Sequence, residues 1–366
     1  QPQRELTGDA KQAQAQWLNV GGETQKFAGQ NYAQFDLIVD ALLGTGVTGE
    51  VKPDFQAVIQ QINQSNIPVL SIDLPSGMQA NTGQALPICV KADVTVTFIA
   101  TKPGLVSGIG KEFSGKVVFA DLAVAKEFFS LAHSDTQLVN WQMLQPLKSR
   151  PVHSNKGSFG KLLCIGGNQG MPGAIRLSAE SALRCGVGLV KVYCHESSSL
   201  AISIGRPEIM LAHKNLEAAL DWCSCIVIGP GLGQDDWAHQ QFSRLLAHLK
   251  LPPKPLVIDA DALNLIAAMA DDADQLDTLA QLPAIVLTPH PGEASRLLQC
   301  NIAKIENDRY LASKNIAHKY KSSCVLKGAG TIIQTNRLDQ EPQSWVCEGG
   351  NPGMATAGMG DLLSGV

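Results

Sequence analysis

The sequence predicts an α/β fold divided into two domains. The chain has 366 residues, which is enough for about two domains of ordinary size, each with its own core. Apolar segments of strand length alternate with amphipathic segments of helix length and glycine-rich turns along both halves. Hydrophobic residues make up 45% of the chain and charged residues 17%, a composition typical of globular proteins.

Composition argues against several classes of partner. The formal net charge is −4, which favours neither a nucleic-acid groove nor an anionic membrane surface. No apolar segment has membrane-spanning length, and no signal peptide is recognisable. The nine cysteines are odd in number and scattered, which indicates reduced core residues and a cytoplasmic protein.

The first domain is predicted over residues 1–135 as a βαβ-type sheet. Its first strand lies in 35–44, a near-continuous apolar run typical of a strand buried on both faces of a parallel sheet. A helix over FQAVIQQI follows. The remaining strands are predicted in 67–77, 92–100 and 115–123.

A linker is predicted over residues 136–155, because this segment is polar, contains two prolines and lacks periodicity. The second domain, 156–366, begins a new α/β series. Its helices are predicted over 174–185 and 235–249, each with one apolar face. Its strands are predicted in 161–167, 189–194, 225–231, 255–264, 284–290 and 324–334.

Two carboxylates lie near strand ends in the first domain. Asp40 precedes the turn Gly44-Thr45-Gly46, and Asp73 precedes Pro75-Ser76-Gly77. Ligands bind beyond the carboxyl ends of strands in open α/β sheets, so these side chains could hold a hard cation or act as an acid or base. The alternative is that each aspartate only caps a turn.

Glycine-rich segments follow several strands of the second domain. The loop 166–176, GGNQGMPGAIR, suits a close backbone approach to a phosphate, although it has neither the G-x-G-x-x-G nor the P-loop spacing. His290 stands between two prolines, where it could orient a ligand or simply bond to its own loop. LKGAGT is a hairpin-like turn that could wrap a nucleotide or be a plain turn.

The segment 350–366, GNPGMATAGMGDLLSGV, is the most informative one. Asp361 follows Gly358-Met359-Gly360 at the predicted start of a helix. Backbone amides there could hold an anion while Asp361 removes a proton from a substrate hydroxyl. The alternative is a glycine turn with an aspartate in the first helical turn.

The order of these motifs is more specific than any one of them. The series HSNKGSFGKLLCIGG, MPGAIR, GPGLG, DADALN, TPHPGE, VLKGAGT, GNPGMATAGMGD resembles the ADP-dependent NAD(P)H-hydrate dehydratases, which have a ribokinase-like fold. DLIVDALLGTG, SIDLPSG and ADVTVTFIATKPGL resemble the NAD(P)H-hydrate epimerases, so the first domain is expected to be Rossmann-like. The two are fused in this order in bacterial bifunctional nicotinamide-nucleotide repair enzymes.

The resemblance implies repair of hydrated NADH and NADPH. The epimerase interconverts the R and S hydrates. The dehydratase uses ADP to phosphorylate the ring hydroxyl of the S form, and loss of phosphate restores the cofactor and releases AMP and phosphate.

The resemblance also implies roles for individual residues. Asp361 and Asp73 would be catalytic, and Asp40 and Ser76 would bind potassium. The nucleotide would be bound by Lys327, Gly328, Ala329, Gly330, Thr331 and Gly360. The substrates would be bound by Gly44, Thr45, Gly46, Val47, Thr48, Gly49, Glu50, Asp73, Ala174, Gly231, His290 and Asp361.

ADP as phosphoryl donor, Mg²⁺ and K⁺ are the implied cofactors, and NADHX and NADPHX are the implied substrates. We expect a cytoplasmic homo-oligomer without nucleic-acid or membrane partners. By comparison with the family, we also expect the first domain to lack its first strand and glycine-rich loop, and the second to lack its C-terminal helices.

Two other functions remain open. A ribokinase-like kinase of the hydroxymethylpyrimidine or hydroxyethylthiazole type would share the second domain's architecture and release a stable phosphorylated product. A non-catalytic nucleotide-binding protein could also have kept the fold. The first domain argues against the kinase, and an intact Asp361 beside Gly360 argues against the non-catalytic protein.

Overall fold

The structure is a computed structural model in which the chain forms two compact units. The smaller unit comprises Gln1–Gln79, Ala85–Ala100 and Glu112–Asp121, and the larger unit comprises Ala80–Gln84, Thr101–Lys111 and Leu122–Val366. The described residues are 6–25, 27, 29, 32–47, 49–144, 148–212, 215–249, 253–269, 279, 281–282, 284–336 and 342–366.

Helices and strands alternate along both units. The helices are α1 Gly8–Asn19, α2 Pro53–Gln64, α3 Gly110–Ser114, α4 Ala125–Leu131, α5 Pro172–Cys185, α6 Ser199–Ser203, α7 Leu216–Trp222, α8 Asp236–His248, α9 Ala260–Ala268, α10 Pro291–Leu297, α11 Ile302–Asn307, α12 Arg309–Lys319 and α13 Met359–Gly365. The strands are β1 Ile38–Asp40, β2 Val69–Ile72, β3 Val94–Phe98, β4 Lys116–Ala120, β5 Thr136–Leu138, β6 Lys161–Ile165, β7 Leu189–Tyr193, β8 Met210–Leu211, β9 Cys225–Ile228, β10 Leu256–Ile258, β11 Ile285–Leu287, β12 Ser323–Leu326, β13 Thr331–Gln334 and β14 Ser344–Cys347.

The smaller unit contains a parallel sheet, which confirms the predicted βαβ type. Its described strands run in the order β1-β2-β3-β4, and every neighbouring pair is parallel. Ile59 and Ile62 of α2 pack with Val69 and Val90 in the core. Asp40 is the last residue of β1 and Asp73 directly follows β2, so both carboxylates lie at the same edge of the sheet.

The larger unit is built on a mixed sheet. Its described strands run in the order β5-β14-β13-β12-β11-β10-β9-β6-β7-β8. All neighbours are parallel except β13, which is antiparallel to β12 and β14, so the predicted hairpin at LKGAGT is confirmed. Leu163 of β6 packs in one core cluster and Leu162 in another, as expected of a strand covered on both faces.

Three expectations about individual segments need correction. The strand predicted in 35–44 spans only Ile38–Asp40, and Val39 is 54% exposed, so this strand is not buried on both faces. The segment 255–264 is not one strand, because β10 ends at Ile258 and α9 begins at Ala260. The segment 136–155, which reads from sequence as a linker, includes β5, and β5 pairs in parallel with β14 of the large sheet. A three-residue strand is too short to give a periodic signal in the sequence.

Candidate functional site

A buried carboxylate and a lysine form the centre of the candidate site in the larger unit. Asp259, 1% exposed, follows β10 and precedes α9, yet its side chain makes no cap hydrogen bond to that helix. Its Oδ1 instead accepts from Lys327 Nζ at 2.8 Å. Lys327 directly follows β12, and its backbone N–H donates to the Pro289 carbonyl at 2.8 Å. The ends of two parallel strands, β10 and β12, which flank β11 in the sheet, therefore position both partners.

The other oxygen of Asp259 anchors the last helix of the structure. Ser364 Oγ donates to Asp259 Oδ2, and it also lies 3.0 Å from the Gly360 carbonyl oxygen. A Cβ on Gly360 would lie 3.5 Å from Lys327 Nζ, so glycine keeps the space beside the ammonium open. The predicted nucleotide-binding residues Lys327 and Gly360 are thus neighbours.

Asp361 lies half-buried in the first turn of α13. Ser178 of α5 donates through Oγ to the Asp361 carbonyl at 2.8 Å, and Ser181 donates to the Leu362 carbonyl at 2.7 Å. The backbone is therefore held while the carboxyl group stays accessible. Burial and the nearby Asp259 charge raise the pKa of Asp361, and the Lys327 ammonium partly opposes this shift. A raised pKa makes Asp361 a stronger base than an exposed aspartate.

His290 and Glu293 form a second part of this cluster. His290 Nδ1 accepts from the Gly292 N–H at 2.9 Å, and Glu293 Oε2 accepts from the His290 N–H at 2.7 Å, which makes a capping box at the start of α10. Lys327 Nζ lies 3.7 Å from Glu293 Oε2. Burial raises the pKa of Glu293 to about 7, although Lys327 opposes the shift. Burial and Lys327 lower the pKa of His290, which favours the neutral imidazole, in keeping with the acceptor role of Nδ1.

The predicted substrate-binding positions Ala174 and Gly231 lie side by side. Gly231 has φ +60°, and a Cβ there would lie 2.6 Å from the Met171 carbonyl oxygen and 3.2 Å from Ala174 Cβ. Its carbonyl accepts from the Asn168 N–H at 2.7 Å. The loops after β6 and β9 therefore pack tightly, and only glycine fits at this position.

The turn 327–331 connects β12 to β13. Gly328 and Gly330 have φ values of +139° and +65°, which favour glycine. Thr331 Oγ1 donates to the Gly328 carbonyl at 3.1 Å, while Ala329 is exposed at the tip. The five predicted nucleotide-binding residues of this turn therefore follow β12 directly, and Lys327 is the first of them.

Asp40 and Ser76 are bonded to each other in the smaller unit. Ser76 Oγ donates to Asp40 Oδ1 at 2.6 Å, and the Ser76 N–H donates to Oδ2 at 2.8 Å. Oδ2 also accepts from Ser71 Oγ at 2.9 Å. Asp40 is 1% exposed, so this carboxylate fixes the turn after β2. A potassium ion bound by these side chains would have to replace some of these hydrogen bonds.

Asp73 has an unusual backbone. Its φ of +69° is a left-handed conformation that costs energy for a residue other than glycine. Its Oδ1 accepts from the Phe98 N–H at 3.0 Å and from Thr97 Oγ1 at 3.3 Å, which joins the ends of β2 and β3. Backbone strain of this kind at the end of a parallel strand is common at functional sites.

The predicted substrate loop lies after β1. Gly44, Thr45, Gly46, Gly49 and Glu50 are exposed, Val47 is half-buried, and Thr48 lies outside the described residues. The base of the loop is tied to Ser76, whose Oγ accepts from the Leu43 N–H at 2.8 Å.

Three residues of the larger site were not predicted from the sequence: Asp259, Glu293 and Ser364. DADALN and TPHPGE contain two of them, so a signal was present, but nothing in the pattern distinguishes Asp259 from a helix cap. Among the described residues, no group of three or more His, Cys, Asp or Glu could hold a metal ion. No helix within the described ranges is long and apolar enough to cross a bilayer.

Comparison with known proteins finds two families along the chain. The family described as NAD(P)H-hydrate dehydratase matches residues 162–366, and the family described as YjeF-related protein N-terminus matches residues 1–104. A ribokinase-like superfamily protein of Enterococcus faecalis is similar in structure, with a TM-score of 0.54 and 31% identity over 64% of this chain and 79% of that one.

Curated relatives resemble the chain along nearly all of its length. The bifunctional NAD(P)H-hydrate repair enzyme Nnr of Escherichia coli is 39% identical over 99% of this chain and 67% of the relative. The enzyme of the same name from Coxiella burnetii is 41% identical over 90% of this chain and 65% of the relative. The chain thus spans about two thirds of the length of these relatives.

Proposed function

The chain belongs to the family of bifunctional NAD(P)H-hydrate repair enzymes, and we propose on this premise that it repairs hydrated NADH and NADPH. The larger unit would dehydrate the S hydrate with ADP, releasing AMP and phosphate. The smaller unit would interconvert the R and S hydrates. The meeting of Lys327, Gly360 and Asp361 around Asp259 is the observation that carries the proposal.

Phosphoryl transfer needs charge neutralisation and positioning more than covalent chemistry. Asp259 holds the Lys327 ammonium, and the Lys327 side chain is 20% exposed, so it can meet a phosphoryl oxygen. The absence of a side chain at Gly360 leaves room for that oxygen. These two features support phosphoryl binding at this point.

Asp361 supports the proton step. Its carboxylate would take the proton of the hydroxyl group that hydration placed on the nicotinamide ring. The hydroxyl oxygen would then attack the β-phosphorus of ADP, and the bond to AMP would break. The ring nitrogen would assist departure of phosphate, and loss of a proton from the neighbouring ring carbon to solvent would restore the double bond. The raised pKa of Asp361 suits a base that must accept this proton.

Mg²⁺ would neutralise the phosphates when bound. The ion would be held mainly by the phosphate oxygens of the nucleotide, with one or two protein carboxylates at most, as Mg²⁺ commonly is at phosphoryl-transfer sites. Potassium at Asp40 and Ser76 stays a prediction, and no step is assigned to it. Cytoplasmic location and a homo-oligomeric state likewise stay predictions.

Epimerisation is assigned to the smaller unit through Asp73. Its strained backbone and its bonds to β3 hold the carboxylate at the sheet edge that also carries the 44–50 loop. Asp73 would be the catalytic acid or base of this epimerisation, and the loop would contact the dinucleotide.

A direct assay tests the proposal. The protein is incubated with an R and S mixture of hydrated NADH and with ADP, and return of the nicotinamide absorbance is followed with chromatographic resolution of the epimers. Formation of NADH with AMP and phosphate is expected. Accumulation of a stable phosphorylated product would instead favour the kinase, and binding without turnover would favour the non-catalytic protein.

A further inference from the structure

The turn 327–331 is held on its carbonyl side by a buried guanidinium. Arg309, 3% exposed, is the first residue of α12. Its Nη2 donates to the Lys327 carbonyl at 3.1 Å and its Nη1 pairs with Glu306 Oε1 at 3.1 Å. A Cβ on Gly328 would lie 2.7 Å from Nη2, so the backbone approaches the guanidinium at a distance that only glycine allows.

The segment Thr101–Lys111, part of the larger unit, supports the same side of the turn. Ser107 Oγ accepts from Arg309 Nε at 3.3 Å and donates to the Gly330 carbonyl at 3.3 Å. The Gly108 N–H donates to the Ala329 carbonyl at 2.8 Å. The carbonyls of Lys327, Ala329 and Gly330 are therefore all bonded to Arg309 or to this segment.

The amide side of the turn is free for a ligand. The N–H groups of Gly328, Ala329 and Gly330 donate to no described acceptor, while Gly328 and Ala329 are exposed. Successive unbonded N–H groups in a turn that begins with a lysine favour an anion such as a phosphate. Fixing the carbonyls on one side orients the amides toward the other.

We propose that Arg309, together with Ser107, is a positioning residue for the nucleotide. It holds the carbonyl side of the turn so that the amides and Lys327 meet the phosphates of ADP. This inference rests on the proposed function, because it assumes that the turn binds a nucleotide. Since Ser107 and Gly108 bond to the same turn, nucleotide binding also stabilises the segment Thr101–Lys111.

The test compares Arg309→Lys with Ser107→Ala and a matched control, Arg244→Lys, in the full chain. Arg244 also makes several side-chain bonds, but to Glu217 and Tyr193, away from the turn. Lysine keeps the positive charge at position 309, but it cannot reproduce the hydrogen bonds that the planar guanidinium makes through Nε, Nη1 and Nη2. We therefore expect the KM for ADP to rise about tenfold. The kcat and the KM for the hydrated dinucleotide should stay within about twofold. Ser107→Ala should raise the KM for ADP about threefold, and the control should not change it.

The KM for ADP, compared with kcat and with the KM for the hydrated dinucleotide, decides whether Arg309 positions the turn. An unchanged KM for ADP in Arg309→Lys, or equal changes in kcat and both KM values, would show a merely structural role and overturn it. If Arg309→Lys does not fold, the result for Ser107→Ala decides alone. Calorimetry of the unsubstituted chain with ADP distinguishes failure of the proposed nucleotide site from failure of the positioning role of Arg309. Absence of ADP binding would refute both. Normal ADP binding by the unsubstituted chain, with an unchanged KM for ADP in the variants, would refute only the positioning role.

Discussion

Replacing Lys327 by methionine should destabilise the larger unit and abolish dehydration together. The substitution leaves the Asp259 carboxylate, 1% exposed, without the ammonium that lies 2.8 Å from its Oδ1. Removing one partner of a buried ion pair costs about 3–5 kcal/mol, because the other charge stays buried and unpaired. For a unit of this size the melting temperature should fall by about 5–10 °C.

Asp259→Asn in the same background gives the decisive comparison. Asparagine removes the unpaired charge and can still accept from Ser364, so the double variant should recover about 1–3 kcal/mol of the loss. Denaturant unfolding of the single and double variants measures the recovery, and Lys304→Met, at an exposed position of the same unit, should change stability by less than about 0.5 kcal/mol. A double variant no more stable than Lys327→Met would refute the ion-pair argument. Neither Lys327→Met nor the double variant should turn over hydrated NADH, because both lack the Lys327 ammonium.

Three further predictions concern single carboxylates. Asp361→Asn should leave calorimetric ADP affinity nearly unchanged and lower dehydratase turnover by about two to four orders of magnitude, and near-normal turnover would contradict its role as the base. Asp73→Ala and Asp40→Ala should slow consumption of the R hydrate while the S hydrate is still dehydrated, and equal loss of both activities in folded protein would contradict two separate sites. Glu293 has a pKa of about 7 against 4.5 for an ordinary glutamate, so its contribution to stability is complete below pH 4.5 and is lost as the pH rises to 7, a change of about 3 kcal/mol. Glu293→Gln should flatten this part of the stability profile measured by denaturant unfolding, and an unchanged slope would show that Glu293 is not its source.

The fold could be predicted where strands are long and apolar on both faces. The segments around β2, β6 and β7 form strands, because buried parallel strands leave a nearly continuous hydrophobic signal. The strands β5, β8 and β14 gave no such signal. Two of them have two or three residues, and β14 lies where polar residues surround a short apolar pair. Their place in the sheet depends on pairing with partners distant in sequence, which no local pattern contains.

The candidate site shows the same limit at the level of single side chains. Lys327, Gly360 and Asp361 stand out in the sequence because they lie in glycine-rich segments that follow a predicted strand or begin a predicted helix. Asp259 and Arg309 do not, because an aspartate before a helix usually caps it and an arginine at a helix start is usually exposed. Asp259 makes no cap bond, and Arg309 is buried against a turn 18 residues away in sequence. The residues that hold a ligand-binding group in place are therefore harder to predict than the group itself. Their chemistry is ordinary, and only their burial and their distant partners make them functional. For this reason Arg309→Lys and Asp259→Asn test the architecture of the site in a way that substitution of the conspicuous Asp361 cannot.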